Sequence, residues 1–411
     1  MEFNTNQKEA IHTIDGNMVV IAAAGSGKTS VLTYRILNMV KNYGVDPTTI
    51  LAVTFSKKAK ESIEQRLGKL GVANVNVETF HSLALKIITS TYGYGKYKVW
   101  TASWEKEKAL KEICCDLLGL CRNKDDVPYN GILRFLGIQK TNMLGSTDSL
   151  IYSDDDPYPD DRMKKIYKMY EDYKKDKSYI EFDDFLNMAN QCFDKFPDIL
   201  KFYQNKYLYV LSDEFQDVSM AQSLLLKRIN NKNTMIVGDP LQAIYSFRGG
   251  RSEYIMQFDQ DYSDVKIVHL NTNYRCSTDI VRMANMLAQH IPDSKDKNYV
   301  ESIASKGTNQ FPEYRKFVSE YDEASWICKK ITEKKENNEY RDMAVLARTN
   351  AQLTILQTVM SKNMIPYDVV NGVMFTELPE IKLLISYLKL ALHEGDNSAF
   401  SYVYNKPNRW L

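Results

Sequence analysis

The sequence predicts an α/β protein whose main domains are built on parallel β-sheets, with a mostly helical domain inserted into the first of them. Short apolar segments such as 18–24 and 50–55 alternate with amphipathic segments such as 30–43, and strands that alternate with helices are typical of parallel sheets. From about residue 94 to 177 this alternation is lost and long amphipathic stretches take its place. We therefore expect two kinds of domain in one chain.

The individual elements follow from the spacing of apolar residues. In 57–70, Ile63, Leu67 and Leu70 recur at helical spacing and share one face. The same reasoning predicts helices at 104–120 and 162–175, separated by an acidic loop whose adjacent carboxylates cannot easily converge on one metal ion. Further strands are predicted at 207–211, 234–237, 265–270 and 343–347.

The composition excludes several classes of protein. Of the 411 residues, 44% are hydrophobic and 26% are charged, which excludes a disordered chain. Lys and Arg total 53 against 52 Asp and Glu, and the net charge of +1 excludes a histone-like basic surface. Neither a membrane span of roughly 18 apolar residues nor a secretory signal is recognisable. The six cysteines lack CxxC spacing, so we expect free thiols in a cytoplasmic protein without membrane contact.

The strongest chemical signal is the segment Ala22-Ala23-Ala24-Gly25-Ser26-Gly27-Lys28-Thr29, which follows an apolar strand and opens a helix. In this context glycines let backbone N–H groups turn towards phosphate oxygens at the positive end of the helix dipole. Lys28 would reach the β- and γ-phosphates of a nucleotide, and the Thr29 hydroxyl would bind Mg²⁺. Ala22 stands where the strict pattern has glycine, and a strand–helix turn without a ligand is the alternative.

The second signal narrows the kind of nucleotide chemistry. An apolar strand at 208–212 delivers two adjacent carboxylates, Asp213 and Glu214, to the edge at which open α/β sheets bind ligands. Asp213 would hold Mg²⁺ through water, and Glu214 would polarise the attacking water, which a phosphotransferase does not need. The pattern therefore favours a nucleoside triphosphate hydrolase over a kinase, with an acid-rich helix N-terminus as the alternative.

A third strand ends in a polar and aromatic loop at 238–250. Gln242 could sense the γ-phosphate, and Tyr245 and Phe247 alternate so that both rings could project to one side, with Arg248 beside them. Aromatic rings next to arginine are how sequence-tolerant proteins hold single-stranded bases, at about 1–3 kcal/mol per base. Two aromatic side chains in a buried core explain the pair equally well.

Together these motifs resemble those of the superfamily 1 DNA helicases of the UvrD/PcrA/Rep type, from residue 3 to about residue 395. The matching segments are FNTNQ (3–7), ILAVTFSKK (50–58), TFHS (79–82), DEFQD (213–217), GDPLQAIYSFR (238–248) and LNTNYR (270–275). The resemblance implies that Gln7 reads adenine, that Tyr274 stacks on it, and that Arg275 reaches the γ-phosphate across a cleft from the second motor domain. It also implies DNA contacts for Phe55, His81 and the aromatic loop.

The same resemblance implies two RecA-like P-loop NTPase motor domains. We expect the first at 1–93 and 182–264, the helical inserted domain at 94–181, part of the second motor domain at 265–392, and the start of a further domain at 393–411. Relatives continue with later motifs of the second motor domain, including a second γ-phosphate arginine. We expect a C-terminal continuation or a separate protein to supply these motifs.

The implied activity is that of an ATP-dependent helicase or translocase. Such a protein would use ATP and Mg²⁺, bind single-stranded or tailed duplex DNA, move 3′ to 5′, and serve DNA repair, replication or recombination. The alternative is an ATP-gated single-strand-binding or regulatory module with weak ATPase activity and no unwinding of its own. One departure concerns Ser30, which stands where relatives often carry an arginine near the nucleotide.

Overall fold

A computed structural model describes residues 2–121, 123–158, 160–230, 232–246, 249–292, 300–308, 311–370, 379–392 and 396–405 of the chain. The chain separates into two compact units, Met1–Pro312 and Glu313–Leu411. The first unit carries the phosphate loop and all the motifs up to Arg275. None of the helices in the described ranges combines the length and apolarity that spanning a membrane requires.

The first unit is built on one parallel sheet. The strands of the described chain are β1 (Met18–Ala22), β2 (Ile50–Thr54), β3 (Asn76–Thr79), β4 (Lys98–Val99), β5 (Tyr179–Ile180), β6 (Tyr209–Ser212), β7 (Thr234–Gly238), β8 (Lys266–Leu270), β9 (Thr272–Asn273) and β10 (Ile303–Ala304). Six of these form the large sheet in the order β3-β2-β6-β7-β1-β8, and every neighbouring pair is parallel. The predicted α/β class is thereby confirmed.

Helices connect the strands and cover both faces of the sheet. The α-helices of the described residues are α1 (Thr5–His12), α2 (Lys28–Asn42), α3 (Lys57–Lys69), α4 (Phe80–Tyr92), α5 (Ser103–Lys111), α6 (Tyr129–Thr141), α7 (Asp161–Asp176), α8 (Phe182–Lys195), α9 (Pro197–Lys206), α10 (Met220–Ile229), α11 (Glu253–Met256), α12 (Phe258–Asp261), α13 (Thr278–Ala288), α14 (Glu320–Lys335), α15 (Asn350–Lys362), α16 (Pro379–Leu392) and α17 (Asn397–Val403).

Alternate residues of a central strand enter two different cores. In β1, Val19 and Ile21 pack into the core that α4, α8 and α10 cover, whereas Met18, Val20 and Ala22 pack into the core that α1, α2 and α3 cover. All of β1 is buried as a result. Burial on both faces explains why the sequence shows an unbroken apolar run here, since a strand with one wet face would alternate with polar residues.

The parallel arrangement places the carboxyl ends of the strands along one edge. The chain leaves β1 into the phosphate loop, β6 into Asp213 and Glu214, β7 into Asp239, and β8 into Asn271. Chain segments that are far apart in the sequence therefore meet at this edge, which is where open α/β sheets bind ligands.

The inserted domain has a helical core of its own. Helices α5, α6 and α7 pack around aromatic side chains that include Trp100, Phe135 and Tyr170. The helix expected at 162–175 corresponds to α7, whereas the one expected at 104–120 is α5 followed by a π-helical turn, Glu112–Leu117. Helical periodicity in the sequence does not distinguish these two hydrogen-bonding patterns here, because the π-helical stretch is only six residues long.

A buried ionic cluster ties the inserted domain to the point where the chain returns to the sheet. Lys140 Nζ of α6 lies 3.0 Å from Glu181 Oε2 and 2.8 Å from Asp184 Oδ1, and Lys174 Nζ of α7 lies 2.6 Å from Asp184 Oδ2. Burial alone would raise the pKa of Glu181, but the charges of Lys140 and Lys174 outweigh it and hold that pKa far below its ordinary value. Glu181 and Asp184, at the predicted junction between the inserted domain and the first motor domain, are thus held in buried ion pairs.

The start of the predicted second motor domain at 265 coincides with β8. This strand pairs with β1 in the first sheet, and the first compact unit extends to Pro312. Periodicity shows that a segment is a strand but not which sheet accepts it. The segment 343–347, which was predicted to be a strand, forms no β-sheet hydrogen bonds with any described segment. The domain boundaries remain a prediction.

Candidate active site

The phosphate loop lies between β1 and α2, where the sequence predicts it. Gly27 precedes α2 with a φ of 86°, and Gly25 has a φ of 68°, which are conformations that glycine adopts without strain. A Cβ atom on Gly25 would lie 2.7 Å from Asn273 Oδ1 and 2.8 Å from the Cβ of Arg275. Glycine at 25 is therefore required by close packing as well as by its φ.

The loop faces the acidic pair across the strand edge. Lys28 Nζ lies 3.2 Å from Glu214 Oε2, and Thr29 Oγ1 donates a hydrogen bond to Asp213 Oδ2 at 3.2 Å. These contacts join the end of β6 to the start of α2. The four side chains that the sequence assigned to phosphate binding, metal binding and water activation thus lie together.

Asp213 is a buried carboxylate whose surroundings disfavour its charged form. Burial, and then the charge of Glu214, raises the pKa of Asp213 to about 6, against the opposing effects of Lys28 and Thr29. The oxygen atoms here come from the Thr29 hydroxyl, the buried Asp213 carboxylate and the neighbouring Glu214 carboxylate. Hard oxygen ligands of this kind are those that Mg²⁺ prefers. A divalent cation would relieve the unfavourable charge at Asp213, so these residues fit the ion.

Glu214 is held in an unusual backbone conformation. Its φ is 53° and its ψ is 44°, a left-handed geometry that costs a non-glycine residue roughly 1–2 kcal/mol. Gln216 Nε2 donates to Glu214 Oε2 at 2.8 Å, and Gln216 Oε1 accepts from the backbone N–H of Asp239 at 3.0 Å. Gln216 therefore fixes the carboxylate of Glu214 and joins the ends of β6 and β7, which indicates that this orientation is under functional constraint.

The remaining nucleotide-site candidates line the same cleft within the first unit. Its walls are formed by Gly25, Ser26, Gly27, Lys28, Thr29, Ser30, Arg66, Glu214, Gln242, Tyr274 and Arg275. Gln242 Nε2 donates to Asp239 Oδ2 at 2.6 Å. Ala23 and Ala24 line an adjoining cavity together with Gln242, and Ala22 ends β1. A positive lysine and arginine and a half-exposed aromatic ring are the groups that a nucleoside triphosphate requires.

Tyr274 and Arg275 reach the cleft from the first unit itself. The backbone N–H of Tyr274 donates to Gly25 O at 3.0 Å, and Asn273 Oδ1 accepts from the backbone N–H of Arg275 at 2.8 Å. The segment that carries both residues follows β8, which pairs with β1 in the first sheet, and the assignment of Arg275 to a second motor domain stays a prediction.

Gln7 lies behind the phosphate loop. Its Nε2 donates to Ser26 O at 2.9 Å, and its Oε1 accepts from the backbone N–H of Asn4 at 3.0 Å. Asn4 caps α1 and also donates through Nδ2 to the hydroxyl of Tyr274 at 2.9 Å. Asn4 thus connects the two residues that the resemblance assigns to adenine.

Aromatic rings lie near the same edge of the sheet. Phe55, which follows β2, stacks on Tyr245 with ring centroids 5.0 Å apart and planes inclined by 26°. His81 at the start of α4 contacts the rings of Phe182 and Phe185, and burial lowers the pKa of His81. Phe55 and His81 line one cavity with Arg134 and Thr141 of α6, while Phe247 and Arg248 lie outside the described residues.

Several site residues escaped the sequence analysis. Arg66 of α3 lines the nucleotide cleft, and its Nη1 lies 3.5 Å from Ser30 Oγ, so it brings a positive charge to the place where Ser30 lacks one. Gln216 and Asn273 lie inside the matching motifs but were given no role. Their function depends on contacts between strand ends, for which the sequence contains no periodic signal.

Comparison with known proteins decides the family. Residues 3–263 match the model of the UvrD/REP helicase N-terminal domain, and residues 268–411 match that of the UvrD-like helicase C-terminal domain. The chain belongs to the UvrD-like helicase family. It is similar to the ATP-dependent DNA helicase PcrA of Staphylococcus epidermidis, with 30% identity over 417 residues, and to that of Staphylococcus aureus, with 30% identity over 416 residues. Each alignment covers 99% of this chain and 56% of the relative.

Membership in the UvrD-like family confirms the resemblance that the motifs carried. The matched N-terminal domain includes the phosphate loop, the acidic pair and the aromatic loop. The chain spans about half the length of the curated relatives it matches, 56% in both cases. The activity of the whole protein is therefore argued below from the site.

Proposed function

We propose that this chain is the motor part of an ATP-dependent DNA helicase or translocase that hydrolyses ATP and binds single-stranded DNA. One observation carries the proposal: Lys28 meets Glu214 at 3.2 Å and Thr29 meets Asp213 at 3.2 Å at the edge of a parallel sheet. A phosphate-binding loop joined to a metal ligand and a general base is the set of groups that triphosphate hydrolysis requires.

The chain's own residues have distinct parts in this chemistry. The backbone N–H groups of the loop and the positive end of α2 bind the phosphates, and Lys28 would exchange its contact with Glu214 for the β- and γ-phosphates. Glu214 is then free to accept a proton from the attacking water, while Gln216 keeps its carboxylate in place. Arg275 offsets charge that develops on the γ-phosphate.

Mg²⁺ fits the pair formed by Thr29 and Asp213. When bound, the ion supplies positive charge to the phosphate oxygens and lowers the cost of their negative charge in the transition state. The Asp213 carboxylate is oriented by two hydrogen bonds, from Thr29 Oγ1 at 3.2 Å and from the backbone N–H of Glu214 at 3.0 Å.

The stacked rings support single-stranded DNA as the partner. Phe55 and Tyr245 present a half-buried aromatic pair, and stacking on such rings tolerates any base because every base has a π-face. We propose 3′ to 5′ movement and a role in DNA repair, replication or recombination, which is what the family resemblance supports. Tailed duplexes are the expected substrate for unwinding.

Hydrolysis of ATP with and without single-stranded DNA tests the proposal. The purified chain should hydrolyse ATP in the presence of Mg²⁺, and a single-stranded oligonucleotide should increase the rate, whereas a blunt duplex of the same length should not. Glu253→Gln, which alters an exposed carboxylate of α11, serves as a matched control for changes at Glu214. Hydrolysis that is indifferent to single strands would argue for a nucleotide enzyme without a DNA substrate.

A further inference from the structure

Arg35 is a buried charge that the proposed chemistry does not use. It lies in α2, seven residues after the lysine of the phosphate loop, and is 2% exposed. In the described part of the chain no carboxylate lies within ion-pair distance of its guanidinium, which instead donates to two backbone carbonyls. Burial lowers the pKa of Arg35 to about 10, so the group is still charged at neutral pH.

Both carbonyls belong to the end of α1 and the turn that follows it. Arg35 Nη1 donates to Ala10 O at 2.7 Å and Nη2 donates to Ile14 O at 2.8 Å. One turn further along α2, Asn38 Nδ2 donates to Ile11 O at 3.0 Å. A guanidinium at the negative end of a helix satisfies carbonyls that have no partner within the helix and interacts favourably with the helix dipole.

The same short helix carries Gln7 at its other end. Gln7 is 5% exposed, and its Nε2 contacts Ser26 O of the phosphate loop at 2.9 Å. A Cβ atom on Gly27 would lie 3.2 Å from this nitrogen, so the amide packs directly on the loop. An eight-residue helix such as α1 is not stable by itself in water, and its position therefore depends on tertiary contacts.

We propose that Arg35 is the positioning residue for nucleobase discrimination. From α2, it fixes the position of α1 so that Gln7 contacts the phosphate loop. This inference rests on the proposed binding of ATP. The contacts expected for the phosphates come from the loop and from the N-terminus of α2, neither of which Arg35 touches, whereas the family resemblance assigns the reading of the base to Gln7 of α1. Loss of Arg35 therefore separates recognition of the base from recognition of the phosphates.

Equilibrium titration with fluorescent N-methylanthraniloyl ATP and GTP, in Mg²⁺ and without DNA, tests the inference independently of hydrolysis. Arg35→Lys keeps the charge but cannot span both carbonyls. It should weaken ATP binding by about tenfold while leaving GTP binding within about twofold, so that the preference for ATP disappears. Arg228→Lys is the matched control, because Arg228 also donates to a helix carbonyl, Asn190 O at 2.8 Å, and does not line the nucleotide cleft.

Both arginine variants are expected to lower the melting temperature, and only Arg35→Lys should change the ratio of the two affinities. Equal loss of ATP and GTP binding, or an unchanged ratio, would contradict the inference while leaving the proposed function intact. If the wild-type chain bound neither nucleotide, the proposed function would fail and the inference with it.

Two further variants keep the test decisive if Arg35→Lys does not fold. Asn38→Ala removes the other side-chain donor to the end of α1 and should reduce the same preference, by a smaller factor. Gln7→Ala should abolish the preference, and combining it with Asn38→Ala should lower the ATP-to-GTP ratio no further. If the double variant had a lower ATP-to-GTP affinity ratio than Gln7→Ala alone, Asn38 would affect base recognition by a route other than Gln7, and the inference would be contradicted.

Discussion

At the scale of single residues, we expect ATP turnover to depend most on Glu214. Its carboxylate is fixed by Gln216 at 2.8 Å and contacts Lys28 at 3.2 Å. Glu214→Gln keeps the size and the hydrogen-bonding shape but cannot accept a proton from water. We expect ATP hydrolysis to fall by about 10²–10⁴-fold, the usual contribution of a general base, with ATP affinity nearly unchanged. Steady-state hydrolysis and nucleotide titration measure the two quantities, and wild-type turnover in the variant would remove Glu214 from the mechanism.

Asp213 should make stability depend on pH in a direction opposite to that of most carboxylates. Because its pKa rises from 3.8 to about 6 on folding, the folded state binds more protons than the unfolded state between these values. The contribution of Asp213 to stability is therefore highest below about pH 4, falls as pH rises towards 6, and stays low above that. In the absence of Mg²⁺, Asp213→Asn should thus stabilise the protein at pH 7.5 by up to about 2–3 kcal/mol.

Thermal denaturation across pH 4 to 8 checks this prediction. The stability difference between Asp213→Asn and the wild type should shrink as the pH falls from about 6 to about 4. Mg²⁺ with ATP should raise the melting temperature of the wild type and have little effect on the variant. If the variant were less stable than the wild type at every pH, the hydrogen bonds of Asp213 would fully offset the cost of burying its charge in the absence of Mg²⁺.

At the scale of elements, the loop after β7 carries the aromatic contact proposed for DNA. Tyr245→Ala removes one ring of the stacked pair and should weaken binding of a single-stranded oligonucleotide by about 1–3 kcal/mol. Nucleotide affinity without DNA should stay the same. Fluorescence anisotropy with labelled oligo-dT measures the affinity for single-stranded DNA. The control is Tyr94→Ala, which removes a ring that is 92% exposed. Parallel losses of DNA and nucleotide binding would instead indicate a core role for the pair.

The buried ionic cluster should set the stability of the inserted domain. Lys140→Met leaves Glu181 and Asp184 with one fewer compensating charge in a buried setting, which we expect to cost about 3–5 kcal/mol. Lys165→Met, at an exposed position of α7, should cost little. Since the pKa of Glu181 is held low by this cluster, the stabilisation is present at neutral pH and is lost under acid conditions. The loss begins only as the pH falls below the unfolded pKa of 4.5, so urea denaturation at pH 7 and at about pH 3 should show the gap between the two variants narrowing at the lower pH.

At the scale of the whole molecule, the residues that line the candidate nucleotide cleft all lie in the first compact unit. The phosphate loop, the acidic pair, Tyr274 and Arg275 all lie within Met1–Pro312. A fragment of residues 1–312 should therefore fold and bind ATP with an affinity within about threefold of that of the 411-residue chain, because all the cleft residues are present. Limited proteolysis should cut near Pro312. A fragment that folds but does not bind ATP would show that residues beyond 312 complete the site.

The secondary structure could be predicted from the sequence where an element has a local pattern of apolar residues, and not where it depends on a distant segment. Strands β1, β2, β7 and β8 and helices α2, α3 and α7 were predicted to within about two residues, because buried apolar runs and helical periodicity are local patterns. Among the described residues the segment 343–347 forms no strand, for the converse reason that a strand exists only where a neighbouring segment accepts its hydrogen bonds. Strand β3, with its partly polar sequence NVET, was missed because it lies at the edge of the sheet.

The sequence by itself determined the α/β class, the phosphate loop, the acidic pair and the family, since each depends on residues that are adjacent along the chain. Tertiary structure alone decided that Lys28 meets Glu214, that Gln216 joins two strand ends, that Arg66 enters the cleft and that Arg35 anchors the helix of Gln7. It also decided that β8, five residues before Arg275, pairs with β1 in the first sheet. The physical reason is that parallel strands bring their ends together whatever their separation in sequence, and the order in which strands pair is a long-range choice that local periodicity does not encode.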